Sequence, residues 1–222
     1  MRAYPRTVAR IEGGKLVMRD GRVFPLDDGI RSKTYEQRLN APDIEDMFDE
    51  PYVTGPPSHP PTGEPGRARN EVFFNAMYGD CSHNGVHMRR VAWMPGRGGG
   101  SVLFTTTNGA ADHLEAAIRD LEKLPPSMTR YLVPAGGTYN CRKIAGTQRR
   151  SMHSYGAAID ISTAYSDYWQ WSGGETATWK NRIPMEVVEI FERHGFIWGG
   201  KWRHFDTMHF EYRPELLPPE RR

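Results

Sequence analysis

The sequence predicts an α+β fold, and three observations predict it. Near the N-terminus, residues 15–18 and 23–26 read as two strands flanking Arg19-Asp20-Gly21-Arg22, whose Asp-Gly pair is a hairpin signal. In the middle, Leu114, Ala117, Ile118, Leu121 and Leu124 recur on one face of a helical period. Near the end, the run FDTMHFEY (205–212) alternates apolar and polar residues, the signature of a strand buried on one side. Strands mixed with two or three helices, without regular β–α–β alternation, argue for α+β rather than a doubly wound sheet.

The remaining elements follow from local signals. Residues 69–78 read as a short helix closed by Gly79, and residues 101–106 have the β-branched and aromatic content of a strand. Asn108 is placed to cap the central helix, which Pro125-Pro126 stops after Leu124. Tyr131-Leu132-Val133 is expected to be a strand. A last helix is expected from Pro184 to His194, with Gly195 as its stop. His194 falls on its apolar side and reads as a hydrogen-bonded core histidine. Between the two halves, residues 51–66 carry Pro51, Pro56, Pro57, Pro60, Pro61 and Pro65, which exclude regular structure. The expected organisation is therefore an N-terminal strand unit with a Pro-rich extension or strap (1–65), a main domain (66–217) and a short tail (218–222). No internal repeat is apparent.

Composition narrows the function. A chain of 222 residues suffices for one well-cored domain, with or without an extension. Lys and Arg total 29 against 27 for Asp and Glu, so the large basic excess of a nucleic-acid binder is absent. A local basic group (Arg142, Lys143, Arg149, Arg150) reads either as a rim for an anionic polymer or as a solvated edge. No apolar run approaches the ~20 residues of a membrane helix. The first twenty residues lack the apolar core of a signal peptide, so the expectation is a trimmed mature form, export by another route, or cytosolic residence. Cys81 and Cys141 form no CxxC pair. They read as one disulfide of an oxidising compartment or as two buried thiols.

The chemistry concentrates in two stretches, SMHSYGAAID (151–160) and FDTMHFEY. His153 and Asp160 lie seven residues apart and would face opposite sides of one strand. The chain must therefore turn between them, and Gly156 permits it. Asp160 sits between Ile159 and Ile161, where a carboxylate is costly to bury unpaired and a metal compensates it well. In the second stretch Met208, Phe210 and Tyr212 share the core face, leaving His209 and Glu211 toward a cleft. Two imidazoles and one carboxylate leave a catalytic zinc an open position. A neighbouring acid then serves as proton acceptor, and Asp206 is the first choice. Glu211 competes for that role, its other reading being a salt bridge or a partner of a metal ligand. His204 is a rival ligand, less favoured than His209 by strand alternation. A buried His–Asp network without metal is the alternative to the whole set. Among Tyr139, Trp198, Trp202, His204 and Phe205, which line either a cleft or the core, Trp202 is expected at the cleft.

SMHSYGAAID resembles the SxHxxGxAxD motif of the M15 family of zinc peptidases, the D-alanyl-D-alanine carboxypeptidase and L-alanyl-D-glutamate endopeptidase group. The resemblance implies Zn2+ held by His153, Asp160 and His209, with Asp206 as base. Asp206 ahead of MHFE is similar to the endopeptidase branch, since the carboxypeptidases usually carry Glu there. The segment TYNCRKIAGTQRRSMHSYG resembles the family's lead-in and gives Arg142 a role at the substrate or the oxyanion. Ser151, which opens the motif, is expected beside the substrate with Arg142 and Trp202. With GRARNEVFFNAMYGD and GFIWGGKWRHFDTMHFE, the similarity extends over 66–217. It implies the compact fold shared with Hedgehog signalling domains, a small antiparallel sheet carrying the zinc. It further implies peptidoglycan stem peptides as substrates, a monomer, and work in the cell envelope or periplasm. Two other classes stand beside it: a non-catalytic zinc-stabilised module binding cell-wall peptides, and a non-haem iron oxygenase. The latter usually spaces its His and Asp by two residues rather than seven.

Overall fold

The structure is a computed structural model that describes residues 3–218; of the tail expected at 218–222, all but Pro218 lies outside the described residues. The N-terminal hairpin forms where Asp20-Gly21 invites it. Gly21 takes a φ of 89°, the turn closes from Met18 to Arg22, and β2 (Lys15–Met18) pairs with β3 (Val23–Pro25). A further strand, β1 (Val8–Glu12), pairs antiparallel on the other edge of β2. Helix α1 (Tyr35–Asn40) follows, held by a capping box between Thr34 and Gln37, and it buries none of its residues.

The proline-rich stretch runs without regular structure across the C-terminal half. Tyr52 is buried there, donating from its hydroxyl to Glu192 at 2.7 Å and accepting from the Trp198 amide at 3.0 Å. Helix α2 (Glu71–Tyr78) starts at Asn70, whose side chain accepts from the Phe73 amide. It ends at Gly79, where φ is 93° and a Cβ would meet the Gly85 carbonyl at 1.9 Å, so only glycine fits.

Strands β4 (Met88–Ala92) and β5 (Ser101–Thr105) form a hairpin, and α3 (Ala110–Leu121) packs against it with Leu114, Ala117, Ile118 and Leu121 buried. Asn108 does not cap this helix. It sits at φ 54° and accepts instead from the Thr7 hydroxyl at 3.1 Å, so the helix begins two residues later. The strand expected at 131–133 is also absent. Residues Thr129–Leu132 form a helical turn, α4, after a tight turn opened by Pro126. Leu132 is fully buried and its carbonyl accepts from the Trp93 indole, so packing overrides local strand propensity.

Strand β6 (Ala158–Asp160), helix α5 (Met185–Arg193), strand β7 (Phe196–Trp198) and strand β8 (His209–Tyr212) complete the chain. Pro184 precedes the first turn of α5 and Gly195, at φ 90°, ends it. His194 bonds Asp120 at 2.8 Å and so ties the end of α5 to α3. The three strands form an antiparallel sheet in the order β6-β8-β7. Its inner face is apolar: Phe210 stacks on Phe191 of α5, with ring centres 4.0 Å apart. The main core draws on both ends of the chain, from Tyr4, Val8, Leu16 and Met18 to Tyr212. The architecture is α+β with small antiparallel sheets. Among the described residues, no helix is long and apolar enough to cross a membrane.

Cys81 and Cys141 are joined in a disulfide that ties the loop after α2 to the stretch leading into SMHSYG. The bridge closes 60 residues of sequence, and constraining so long a loop in the unfolded chain stabilises the fold by roughly 2–4 kcal/mol. Replacing both cysteines by serine is expected to lower the unfolding free energy in urea by that amount. An unchanged midpoint and slope would show that the bridge contributes nothing.

Candidate metal centre

Strand pairing builds the centre. In the β6–β8 register Asp160 lies directly opposite His209 and Ala158 opposite Glu211, so Asp160 and His209 emerge on one face. Phe210 and Tyr212 take the core face, and His209 and Glu211 take the other. His153 arrives from a tight turn over Met152–Tyr155. Ser151 caps this turn by accepting from the His153 amide, and Gly156 closes it at φ 61°. The chain thus reverses within the seven-residue gap and enters β6 aimed back at the same point.

There the donor atoms meet. His209 Nδ1 is 2.8 Å from Asp160 Oδ1, His153 Nε2 is 3.2 Å from His209 Nδ1, and His153 Nε2 is 3.3 Å from Asp160 Oδ2. One ligand atom from each residue lies within 4.8 Å of the others. The far side of each ring is already used. His153 Nδ1 donates to the Thr138 carbonyl at 2.5 Å, and His209 Nε2 donates to Glu211 Oε1 at 2.9 Å. This leaves His153 Nε2 and His209 Nδ1 facing Asp160, with tautomers and ring planes fixed from behind, as a metal-ligating pair requires. Two imidazoles and a carboxylate converging in this way fit a divalent metal.

Without a metal, protons on the ring nitrogens facing Asp160 take the cation's place, and a metal would have to displace them. Burial raises the Asp160 carboxyl, but hydrogen bonds from His153 and His209 outweigh it and hold the group well below the usual carboxylate range. Burial lowers the His209 imidazole, whereas its bonds to Asp160 and Glu211 raise it to about 10. Glu211 is also buried; Arg69 opposes that penalty, and with His209 brings the carboxyl down to about 2. Arg69 pairs directly with Glu211, and Arg213 stands 3.6 Å away. Glu211 therefore lies behind the His209 ring, away from the donor cluster.

Asp206 borders the cavity that His153, Asp160 and His209 also line. Its amide donates to Gly199 at 3.0 Å and its carbonyl accepts from the His209 amide at 3.2 Å, which fixes the backbone just ahead of β8. Its Oδ1 is shielded from solvent and has no hydrogen-bond partner. Burial, reinforced by the Asp160 charge and opposed by His209, raises this carboxyl to about 6. A carboxyl that exchanges its proton near neutrality beside three metal donors suits general-base work.

The other sequence-predicted residues divide. Ser151, Arg142 and Trp202 border the cavity, whose volume is about 400 Å³. Arg142 is exposed, with its amide donating to the Ser154 hydroxyl at 2.9 Å. Trp202 lies 5.6 Å from the His209 ring and donates to the Pro65 carbonyl at 2.8 Å. His204 is engaged by Glu64 and lies 3.3 Å from Glu175, so it does not join the donors. Trp198 and Phe205 are fully buried. Sequence reasoning missed Arg69, the Thr138 carbonyl and the wall formed by Tyr35, Glu36 and Leu39 of α1. No local pattern ties these to the motifs. A second acidic cluster, Asp27, Asp28 and Asp43, is neutralised from within: Lys33 Nζ is 2.7 Å from Asp28 and 3.0 Å from Asp43.

Residues 145–212 match the family described as D-alanyl-D-alanine carboxypeptidase, one of the M15 peptidases. The match supports an M15-family peptidase. The matched stretch contains His153, Asp160, Asp206 and His209, and M15 peptidases are generally zinc-dependent. No curated protein matches the chain.

The raised pKa of Asp206 has a stability consequence. A carboxyl whose folded pKa lies above its unfolded value stabilises the fold while protonated, below about pH 4, and that contribution is lost as pH rises through about 6. Asp206→Asn is therefore expected to stabilise the metal-free protein at pH 8, by on the order of 1–2 kcal/mol, and to be neutral at pH 4. Chemical denaturation at the two pH values measures this; equal stabilities at pH 8 would contradict it.

Proposed function

We propose that this protein is a zinc-dependent peptidase that hydrolyses the stem peptide of bacterial peptidoglycan, acting as an endopeptidase. The observation that carries the proposal is the convergence of His153, Asp160 and His209 beside the partnerless carboxylate oxygen of Asp206. Family similarity supports a peptidase acting on peptidoglycan-related peptides.

His153 through Nε2, Asp160 through its carboxylate and His209 through Nδ1 would hold the zinc. Bound there, the ion would supply Lewis acidity and would lower the pKa of water. Asp206 accepts a proton from the attacking water at its carboxylate and delivers it to the leaving amine. Arg142, exposed on the rim, steadies the negative charge that develops on the carbonyl oxygen. Ser151 and Trp202 shape the wall against which the peptide lies. Glu211 keeps the His209 ring turned with Nδ1 toward Asp160.

The endopeptidase reading draws support from the shape of the cleft. The cavity at the donors shares Arg67, Arg69, Gly146, Thr147 and Arg149 with a second cavity of about 720 Å³. A groove of that extent accommodates several residues on one side of the scissile bond, more than a terminal residue needs. Work on the wall would place the protein in the cell envelope or periplasm, and the Cys81–Cys141 bridge suits such an oxidising setting.

Digestion of defined muropeptides by the zinc-loaded protein, with products weighed by mass spectrometry, tests the proposal. Internal cleavage that stops on chelation is expected; release of a terminal D-alanine alone would make it a carboxypeptidase. Asp206→Ala is expected to keep its zinc and to lose about 10²–10⁴-fold in kcat. Retained turnover in that variant would remove Asp206 from the mechanism. Glu211→Gln is expected to weaken zinc binding by about 10–100-fold in competition with a chromophoric chelator, and unaltered affinity would deny it the supporting role.

A further inference from the structure

The groove carries positive charge that the reading above leaves unused. Four arginines line the second cavity, and they differ in what satisfies them. Arg69 is paired with Glu211, and Arg150 reaches Glu71 at 3.3 Å and Asp80 at 3.2 Å. Arg67 is steadied by Glu64 at 3.4 Å and lies over the Trp202 ring at 5.0 Å, with its Nε shielded from solvent and without a partner.

Arg149 stands apart. It is half-buried, yet both its Nε and Nη1 are shielded and make no hydrogen bond. No ion pair engages it among the described residues. Burial and the neighbouring Arg67 charge lower its pKa, and Tyr35, Glu64 and Glu36 offset this in part. A guanidinium that has lost water without gaining an acceptor is costly unless a ligand completes it. The planar fork of N–H donors matches a carboxylate in two-point contact, and a second cation beside it strengthens the attraction.

We propose that Arg149, with Arg67 beside it, binds a carboxylate of the peptide substrate and makes the cleft selective for acidic peptides. The inference rests on the peptidase reading and deepens it. In a stem peptide the carboxylate comes from one of two sources: the free α-carboxylate of a γ-linked glutamyl residue within the chain, or the carboxylate at its C-terminus.

The test uses zinc-loaded protein carrying Asp206→Asn, so that binding is read without turnover. Three synthetic peptides are compared by calorimetry: L-Ala-γ-D-Glu-L-Lys-D-Ala with both carboxylates free, the same peptide amidated at the internal α-carboxylate, and the same peptide amidated at the C-terminus. One amidation is expected to weaken binding by about 10-fold or more, and the arm that does so identifies the carboxylate. Arg149→Gln in the same background is expected to abolish the difference with zinc content unchanged, since among the described residues the Arg149 Nε and Nη1 make no hydrogen bond and its side chain forms no ion pair. Arg149→Lys is expected to restore part of it. An acid-to-amide ratio unaltered by Arg149→Gln, two harmless amidations, or no measurable binding of the acid peptide would each overturn the inference. Failure of the peptidase reading looks different: the protein with Asp206 intact would bind the acid peptide through Arg149 and leave it uncut.

Discussion

The antiparallel pairing of β6 with β8 is the constraint on which the rest of the site depends. It sets Asp160 opposite His209, and the two-residue period of the strands then puts Glu211 behind the histidine and Phe210 into the core. A slip of one residue would turn the imidazole inward and an aromatic ring outward. The stacking of Phe210 on Phe191 resists that slip, so the hydrophobic interior guards the geometry of a polar centre.

Charge is arranged in layers around that pairing. His209 stands between two carboxylates, Asp160 in front and Glu211 behind, and Glu211 is matched in turn by Arg69. Each buried charge has an opposite neighbour, which is how such groups remain tolerable away from water. Asp206 is the exception: its Oδ1 lacks a hydrogen-bond partner and, unlike Glu211, its carboxylate forms no ion pair among the described residues. Unpaired polar groups of this kind gather where a protein does chemistry, and here such a carboxylate borders the same cavity as His153, Asp160 and His209.

Much of this was legible in the sequence, for identifiable reasons. The strand ending in Tyr212 announced itself by alternation, and Gly156 announced the reversal that brings His153 back to Asp160. Helices α3 and α5 followed from apolar periodicity. What escaped depended on contacts far apart in sequence. Asn108 was expected at a helix cap because its side chain is suited to one, but a hydroxyl from Thr7 claims it. Tyr131 and Val133 carry strand propensity, yet the preceding prolines and the Trp93–Leu132 bond make that stretch helical. Arg69 and Thr138 serve the site through partners that no spacing rule links to them. Glu211 lies between: its shared face with His209 is readable, whereas its place behind the ring depends on Arg69, a partner distant in sequence.

The supports of the site also come from well outside the stretch that matches the M15 family. Arg69 balances Glu211, the Thr138 carbonyl orients His153, and the Pro65 carbonyl holds the Trp202 indole, while the match begins at residue 145. A truncated fragment cut to that stretch would keep His153, Asp160 and His209 and lose the braces that aim them. The smallest unit that holds this candidate site together is thus larger than the matched signature, and the upstream half belongs to the site as much as the motif does.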